Sequence, residues 1–409
     1  MIKKTVHKLL VGRHFWRYAS FNELIELYVS NMLRAVASNL FSIFIPIFLL
    51  QSGYSLRWIS IYYMGYFIVR FFGDILSGFL VARIGPKHVW IFSHTTNIIN
   101  LICLLGLSRY PWLFGMSIVF NALGSSFQYI PVHVDFSKIK HLEHNGKEQG
   151  YFFMLEKLGS AIGPLLGGYL AARYSASYTI IASIILYTFS LVPLMASPEP
   201  VKTNQKITFR GFPYKKVWRD IASNAARAVD TTITMSMWPM LLALTVFKTT
   251  VYEGIGLVTT ISLILAIMMT YIFGKIIDNK HTLRFFRISV VLNSIVHLTR
   301  LFVGNLLGVI GVNIFNEATS TATSMAYIKG AYDAADDLPG YRIIYFVVLE
   351  AGGEILKFLI WFIWFTLTFV STGVGSLQIC FMITAVISLG MMLEKFKALR
   401  PGLLARLLG

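Results

Sequence analysis

Residues 30–50 read SNMLRAVASNLFSIFIPIFLL, and residues 223–243 read SNAARAVDTTITMSMWPMLLA, a second version of the same stretch. Aligned without gaps, the two copies agree at 7 of 21 positions, and both hold an arginine, Arg34 and Arg227, in an apolar run. An apolar run of this length is typical of a transmembrane helix. Placing a guanidinium in such a helix costs about 2.5–3.5 kcal/mol of insertion free energy. Its presence in both copies therefore indicates a functional role.

The composition is that of an integral membrane protein. Of the 409 residues, 56% are hydrophobic and 13% are charged, whereas soluble domains average about 45–50% and 25%. A helix needs about 20 apolar residues to cross a bilayer, and the pattern predicts an all-α membrane protein with twelve transmembrane helices. They lie near residues 21–52, 56–84, 87–107, 111–135, 149–172, 176–196, 217–247, 251–277, 284–304, 306–328, 340–370 and 374–396.

The distribution of positive charge predicts the orientation of the chain. The net charge is +17, and 26 of the 36 Lys and Arg residues fall in tails and loops on one predicted side. The positive-inside rule makes this side cytoplasmic, so both termini are predicted to lie in the cytoplasm and the protein in the cell membrane. This bias argues against a nucleic-acid partner. Five basic residues are assigned to outer loops: Arg57, Arg109, Arg173, Lys248 and Arg300.

The repeat divides the chain into two halves. The sequence YFFMLEKLG at 151–159 recurs as YFVVLEAGG at 345–353, which makes Glu156 the counterpart of Glu350. A polar, basic stretch separates six predicted spans from six. The predicted organisation is a basic tail at 1–20, a first six-helix bundle at 21–196, a cytoplasmic linker at 197–216, a second six-helix bundle at 217–396 and a tail at 397–409.

Twelve spans in two repeated halves, with cytoplasmic termini and a basic linker, resemble the major facilitator superfamily. The sequence GDILSGFLVARIGPK at 73–87 is similar to that family's loop motif between spans two and three, although Ala82 replaces the usual acid. The resemblance implies packing and gating roles for the residues of this motif and of its second-half counterpart, which keeps the acid. These residues are Gly78, Arg83, Gly85 and Lys87, and Gly274 and Asp278.

Span five carries a more specific resemblance, to the proton-coupled antiporters of that family. Glycines let a neighbouring helix approach closely, so a packing face with no bearing on the direction of transport is the alternative interpretation. The arginine that these antiporters carry in span four is absent, and the stretch Asn121–Gln128 stands in its place. The matching positions in span five are Gly150, Gly159, Gly163, Pro164, Gly167 and Gly168.

Charged residues within the spans are the candidates for proton coupling. Spans one and five are neighbours in the family, which implies an Arg34–Glu156 pair and an Arg227–Glu350 pair, each either structural or opened during transport. Asp230, whose first-half counterpart is Ala37, is a further candidate. Asp74 is another, unless it forms a structural pair with Arg70 one turn away. On span eleven, the spacing i, i+4, i+7 predicts an ion network of Glu350, Glu354 and Lys357.

Spans one, four, seven and ten line the cavity in this family. The resemblance therefore implies that their polar, charged and aromatic residues face a solute. His133, at the end of span four, is interpreted as a solvated loop residue. The cavity candidates are Arg34, Arg227, Asn31, Asn224, Gln128, Tyr129, Asn316, Glu317 and Trp238, with Phe41, Phe44 and Met237 as apolar lining.

Repeated halves with buried charges are typical of secondary transporters that work by alternating access. The first interpretation is proton-coupled efflux of an amphiphilic organic solute. A facilitator or proton symporter that imports a small metabolite, and a lipid-type flippase, stay open. No nucleophile–base set, phosphate loop or metal motif occurs, so neither an enzyme nor a cofactor or metal is predicted. The expected partners are a small solute, protons and the lipid bilayer, and the expected state is a monomer.

Overall fold

The computed structural model describes residues 21–139, 145–195, 207–277, 282–338, 340–396 and 399. Within these ranges the chain forms twelve helical segments, α1 to α12, and no strand, as the sequence predicts. The first half comprises α1 (Phe21–Phe41, continued by Ser42–Phe44 and Ile45–Gln51), α2 (Leu56–Ile84), α3 (Pro86–Leu105), α4 (Leu113–Ile139), α5 (Asn145–Arg173) and α6 (Ala176–Met195). The second half comprises α7 (Tyr214–Thr232, continued by Ile233–Met237 and Trp238–Thr245), α8 (Val251–Ile277), α9 (Thr282–Thr299, continued by Arg300–Phe302), α10 (Leu306–Asp336), α11 (Arg342–Leu367) and α12 (Gly373–Ser388, continued by Leu389–Leu393).

Six of the segments are long and apolar enough to cross a membrane by themselves: α1, α3, α6, α8, α9 and α12. The remaining segments include α2 and α11, which carry charged side chains such as Arg70 and Glu350 that the structure buries between helices. A charge that faces other helices avoids contact with lipid, so a lower mean hydropathy is compatible with a span. The segments together indicate a multi-pass membrane protein.

The packing of the second half repeats that of the first. In the first half, α1 packs on α5 and α6, and α4 packs on α2 and α3. In the second half, α7 packs on α11 and α12, and α10 packs on α8 and α9. Two further pairs join the halves, α5 with α8 and α2 with α11, and these two contacts are also repeats of each other. The sequence repeat is therefore a repeat of tertiary structure.

Both copies of the repeated helix lose regular α-helical geometry at the same place. In α1 a 3₁₀ turn, Ser42–Phe44, precedes Pro46. In α7 a π turn, Ile233–Met237, precedes Pro239. Proline has no N–H to donate and its ring clashes with the carbonyl four residues earlier, which accounts for both irregularities. Turns of the π type inside helices are frequent at functional sites.

The glycines of α5 allow very close contact with α1. A Cβ atom would come within 2.7 Å of α1 atoms at Gly159 and at Gly163. At Gly167 it would lie 1.9 Å from the carbonyl oxygen of Leu40. These distances exclude any side chain, so at least part of the glycine pattern serves the packing of α5. Its connection with antiport stays a prediction.

Replacement of Gly167 by alanine is expected to lower the free energy of unfolding by about 1–3 kcal/mol or more, because a backbone carbonyl cannot turn away as a flexible side chain can. Thermal unfolding of the purified protein in detergent measures the effect. Gly311→Ala on α10 is the matched control, since no atom lies within 4 Å of its added Cβ. Equal unfolding temperatures for the two variants would contradict the packing argument.

Candidate functional site

The first half holds the predicted pair of Arg34 on α1 and Glu156 on α5. Arg34 Nη2 lies 2.6 Å from Glu156 Oε1, and the side chains are 5% and 28% exposed. The structure therefore brings the two residues together, with the carboxylate at the more accessible end of the contact. Whether this pair opens during transport stays a prediction.

Asn31 and Asn224 hold the two repeated arginines and do not line a cavity. Asn31 Oδ1 accepts hydrogen bonds from Arg34 Nε and Nη2 at 3.1 and 2.9 Å. Asn224 Oδ1 accepts from Arg227 Nε and Nη2 at 3.2 and 2.9 Å. Each asparagine is only 1% exposed. The cavity assignment of both was therefore wrong, because the turn that separates Asn from Arg points the amide at the guanidinium.

The serine before each asparagine fixes the helix to its neighbour. Ser30 Oγ donates to the carbonyl oxygen of Ser190 on α6 at 2.7 Å. Ser223 Oγ donates to the carbonyl oxygen of Met391, in the continuation of α12, also at 2.7 Å. The repeated Ser-Asn-x-x-Arg sequence thus has a physical reason: the serine fixes the helix, and the asparagine orients the guanidinium.

Replacement of Asn31 by alanine is expected to lower the free energy of unfolding by about 1.5–3 kcal/mol, because hydrogen bonds to charged groups contribute amounts of this size. Thermal unfolding in detergent measures the change. Thr95→Ala is the control, since Thr95 is exposed and bonds only within its own helix. If Asn31→Ala lowers the free energy of unfolding no more than Thr95→Ala does, Glu156 alone holds Arg34 in place.

The second-half pair differs from the first because its acid is shared between the halves. Glu350 Oε1 on α11 lies 3.6 Å from Arg227 Nη2 on α7. The same carboxylate lies 3.9 Å from Arg70 Nη2 on α2 and 4.0 Å from His133 Nε2 on α4. Glu350 is therefore the point at which cations of both halves meet.

A second acid of α11 extends this arrangement. Glu354 Oε1 lies 3.3 Å from Arg70 Nε and accepts a hydrogen bond from Lys357 Nζ at 2.5 Å. We name Arg70, Arg227, Glu350, Glu354 and Lys357 the central ion network. It contains the three α11 residues that the sequence groups together, and it adds a cation from the other half.

Arg70 acts electrostatically on Asp74, but no ion pair within 4.0 Å joins the two side chains among the described residues. Asp74 is fully buried, and neither of its carboxylate oxygens has a hydrogen-bond partner in the described part of the chain. Arg70 is drawn instead to the carboxylates of α11. An ionised carboxylate without partners is costly in such surroundings, so Asp74 stays a candidate proton site.

Aromatic contacts between the halves lie on both sides of the central ion network. Towards the predicted outer side, Tyr63 on α2 stacks on Trp361 on α11 at 4.1 Å. Towards the predicted cytoplasmic side, His133 stacks on Phe346 at 5.5 Å and its Nδ1 is 3.2 Å from the Tyr332 hydroxyl. His133 is therefore part of the contact between the halves and not a solvated loop residue.

The family model described as Major Facilitator Superfamily matches residues 27–328, which is 302 of the 409 residues. The chain belongs to the major facilitator superfamily. Its arrangement of twelve helices in two repeated halves is the fold of that family, as the sequence resemblance implied. The protein is therefore a multi-pass membrane transporter, and the family is not one of enzymes.

Individual relatives of this major facilitator protein are distant. Multidrug resistance protein MdtH of Sodalis glossinidius (strain morsitans) is 26% identical over 118 residues, which cover 29% of this chain and 29% of that protein. The match thus spans under a third of the relative's length. Two crystal structures of the peptide transporter POT in complex with sulfate, one of them a mutant, superpose with TM-scores of 0.70 and 0.71 at 9% identity. They cover 92% of this chain and 95% of theirs and show the fold.

The remaining cavity candidates of this facilitator divide into two groups. Tyr129 is 45% exposed and lies 4.8 Å from the Arg70 guanidinium, while Gln128 and Glu317 are half-buried. Trp238 and Asn316 are 4% and 3% exposed and bond within the second half, so their cavity assignment was wrong. The helices that line a cavity can be inferred from the family, but the face that each helix presents cannot. The predicted apolar lining residues, all buried in the core, are Phe41, Phe44 and Met237.

The loop motif between α2 and α3 includes a contact between the halves. Gly85 joins the helices with a φ of +98°, a conformation that favours glycine. A Cβ at Gly78 would lie 2.5 Å from Val347 Cγ2 on α11. Arg83 is exposed, whereas Lys87 is buried, with 6% of its surface exposed.

Other residues of the predicted motifs lie on helices or outside the described ranges. Gly274 lies in α8 and Gly150 in α5. Asp278, the acid of the second-half loop motif, lies outside the described residues.

The end of the α5 glycine pattern meets α8 of the other half. A Cβ at Gly168 would lie 2.5 Å from the carbonyl oxygen of Tyr252, and one at Gly256 would lie 2.4 Å from the carbonyl oxygen of Pro164. Thr260 Oγ1 also donates to an α5 carbonyl oxygen at 2.8 Å. Gly168 and Pro164 thus belong to the boundary across which the halves would move.

Sequence reasoning misplaced two buried cations and did not consider His297, whose Nε2 lies 2.6 Å from Asp230 Oδ1. Arg70 was grouped with Asp74, but its close ion pairs are with the carboxylates of α11. Arg300 was assigned to an outer loop, but it is 1% exposed. The available signal was the i, i+3 spacing of His297 and Arg300 at the end of an apolar segment, which places both on one helix face.

Proposed function

We propose that this major facilitator protein is a proton-coupled secondary active transporter that exports an amphiphilic organic solute by alternating access. The observation that carries the proposal is the sharing of Glu350 between Arg227 of its own half and Arg70 of the other half. Alternating access moves one half against the other around a central site. Such a movement separates Arg70 from Glu350 and Glu354 and leaves Arg227 beside Glu350.

When Arg70 moves away, protonation of Glu350 and Glu354 becomes more favourable. These acids of α11 therefore bind a proton in one state and release it in the other. A buried carboxylate that loses a cation is stabilised by a proton, because an uncompensated buried charge is costly. Proton binding and movement of the halves are then linked, which is the requirement for using a proton gradient.

The solute class is inferred from the partly exposed groups around the central ion network. The side chains of Glu156 and Arg227 are 28% and 22% exposed, and Tyr129 is 45% exposed. Charges of both signs beside an aromatic ring suit an amphiphilic or zwitterionic solute. The glycine pattern of α5 and the partial similarity to a protein named for multidrug resistance favour export. We place the monomeric protein in the cell membrane with both termini in the cytoplasm.

Reconstitution in liposomes that contain a pH-sensitive dye tests the function. An imposed proton gradient is challenged with lipophilic cations, amino acids, sugars and lysolipids, and protein-free liposomes are the control. Proton movement opposite to the solute is the expected result. Solute movement without protons would show a facilitator, co-directional movement a symporter, and lysolipid transfer between leaflets a flippase.

A further inference from the structure

A second buried polar cluster lies inside the second half, apart from the central ion network. Asp230 Oδ1 on α7 lies 2.6 Å from His297 Nε2 and accepts a hydrogen bond from Asn293 Nδ2 at 2.7 Å, both on α9. Arg300 Nη1 lies 3.2 Å from His297 Nδ1. We name these four residues the Asp230 cluster. Asp230, His297 and Arg300 are 7%, 0% and 1% exposed.

The contacts determine where the protons are. A guanidinium can only donate, so His297 Nδ1 accepts from Arg300 and His297 Nε2 carries the hydrogen that it donates to Asp230. In the unprotonated form of Asp230, the cluster consists of a carboxylate, a neutral histidine, a cationic arginine and the neutral donor Asn293. Asp230 Oδ2 forms no hydrogen bond with the described residues, so it is the atom of the cluster that can take a further proton.

The acid is not needed to build a half. Ala37 occupies the position of Asp230 in the first copy of the repeat and is packed in the apolar core. The flanking Ser-Asn-x-x-Arg sequence makes the same contacts in the first copy, which has no acid at this position, as in the second. A buried set of paired charges is often replaceable as a whole by apolar residues without loss of stability. The presence of Asp230 and its cationic partner Arg300 in one half alone therefore indicates a role other than packing.

Few other charges face the cluster. On α10, Glu317 acts electrostatically on both Arg300 and Asp230, and Lys157 of α5 in turn acts on Glu317. From α12, the Phe381 ring covers His297 and Arg300. No carboxylate of the described residues lies within 4.0 Å of Arg300. The acids that act on it electrostatically are Asp230, which contacts the intervening His297, and Glu317, with Asp230 the stronger of the two.

Arg300 links the Asp230 cluster to α7 and α10. Its Nη1 donates to Thr234 Oγ1 at 3.0 Å, within the π turn of α7. Its Nη2 donates to Asn316 Oδ1 on α10 at 2.8 Å. The residue after Thr234, Met235, is 52% exposed. A change in the position of Arg300 is thus transmitted to the irregular turn of α7.

We propose that Asp230 is a proton-binding residue of the transport cycle, with His297 and Arg300 as positioning residues. The inference rests on the proposed function and identifies the proton site within it. One proton binds at Asp230 Oδ2 and cancels the charge that compensates Arg300. The positive charge of Arg300 is then uncompensated, so Arg300 moves away from His297 and its hydrogen bonds to α7 and α10 break.

Infrared difference spectroscopy on the purified protein in liposomes tests the site without any solute. The wild-type spectrum between low and high pH is expected to contain a protonated-carboxyl band that Asp230→Asn lacks. Asp230→Glu, which keeps a carboxyl group, shifts the frequency of this band, so the test does not depend on one variant folding. Glu253→Gln, at an exposed position, keeps the band as the control. An unchanged band in both Asp230 variants would overturn the proposal.

The positioning roles have a separate readout. Arg300→Gln is expected to displace the pH midpoint of the Asp230 band by about one pH unit, because a cation close to a carboxylate alters its titration by such amounts. A merely structural arginine would alter the unfolding temperature and leave the midpoint in place, and that result would overturn its role.

The transport assay separates failure of this inference from failure of the proposed function. With tetraphenylphosphonium as the probe cation, proton movement by the wild type that persists at full stoichiometry in Asp230→Asn would overturn the inference alone. Probe exchange without proton movement in that variant supports it. If the wild type moves no protons with any member of the solute panel, the proposed function fails, and the infrared titration still decides whether Asp230 binds a proton.

Discussion

Replacement of Glu350 by glutamine is expected to reduce transport by at least about 100-fold. The substitution removes the carboxylate that Arg70 and Arg227 share. Arg70 retains Glu354 at 3.3 Å, but Arg227 has no other acid within 4.0 Å in the described part of the chain. Removing one partner of a buried ion pair costs about 3–5 kcal/mol, because the remaining charge is uncompensated. A cost of this size would leave one conformational state of the transport cycle almost unpopulated.

The proteoliposome assay, normalised to the amount of monodisperse protein, measures the loss. The double variant Glu350→Gln/Arg227→Gln removes one acid and one base, so it is expected to recover part of the unfolding temperature while staying inactive. Asp336→Asn is the matched control, since its carboxylate pairs with Arg342 at partly exposed helix ends, where a pair contributes about 0–1 kcal/mol. If Glu350→Gln transports at the wild-type rate, the central ion network is not required for transport.

The difference between the two arginine–glutamate pairs follows from positions outside the repeated stretch. Gly78 corresponds to Gly274, and by the same offset Arg70 corresponds to Ala266. Glu156 therefore has one arginine partner and Glu350 has two. The family arrangement, in which spans one and five are neighbours, implied the first pair, and the sequence repeat extended it to the second. The additional cation could be identified only once α2 was known to pack against α11.

Helix rotation explains most of the errors at the candidate site. The apolar runs predicted the twelve helices, and the family resemblance indicates which of them surround a cavity. It does not indicate which residues of each helix face inward, because this depends on the packing of the helix with its neighbours. Asn31 and Trp238 lie on cavity helices but face protein interior, where an arginine and an asparagine bind them. Arg300 was misplaced for a related reason, since the end of an apolar segment does not show whether a side chain turns inward.

Replacement of Gly256 by alanine is expected to lower transport by about 5- to 150-fold while each half stays folded. The added Cβ would lie 2.4 Å from the carbonyl oxygen of Pro164 on the other half. Overpacking of about 1–3 kcal/mol would act on the arrangement in which α5 and α8 are close, and an energy of this size changes an equilibrium between two states by that factor. The stability of the second half itself is unaffected, because the clash is with α5 alone.

The transport rate and the thermal unfolding curve together distinguish this effect from misfolding. Gly115→Ala on α4 is the control, since no atom lies within 4 Å of its added Cβ. Gly168→Ala places a methyl group against Tyr252 on the opposite side of the same contact, and it is expected to have the same effect on transport. If both variants unfold at the wild-type temperature and both transport slowly, the close approach of α5 and α8 is a state that the protein must visit. If both variants transport at the wild-type rate, the transport cycle does not require the close approach of α5 and α8. The glycines at the end of the α5 pattern then serve assembly alone.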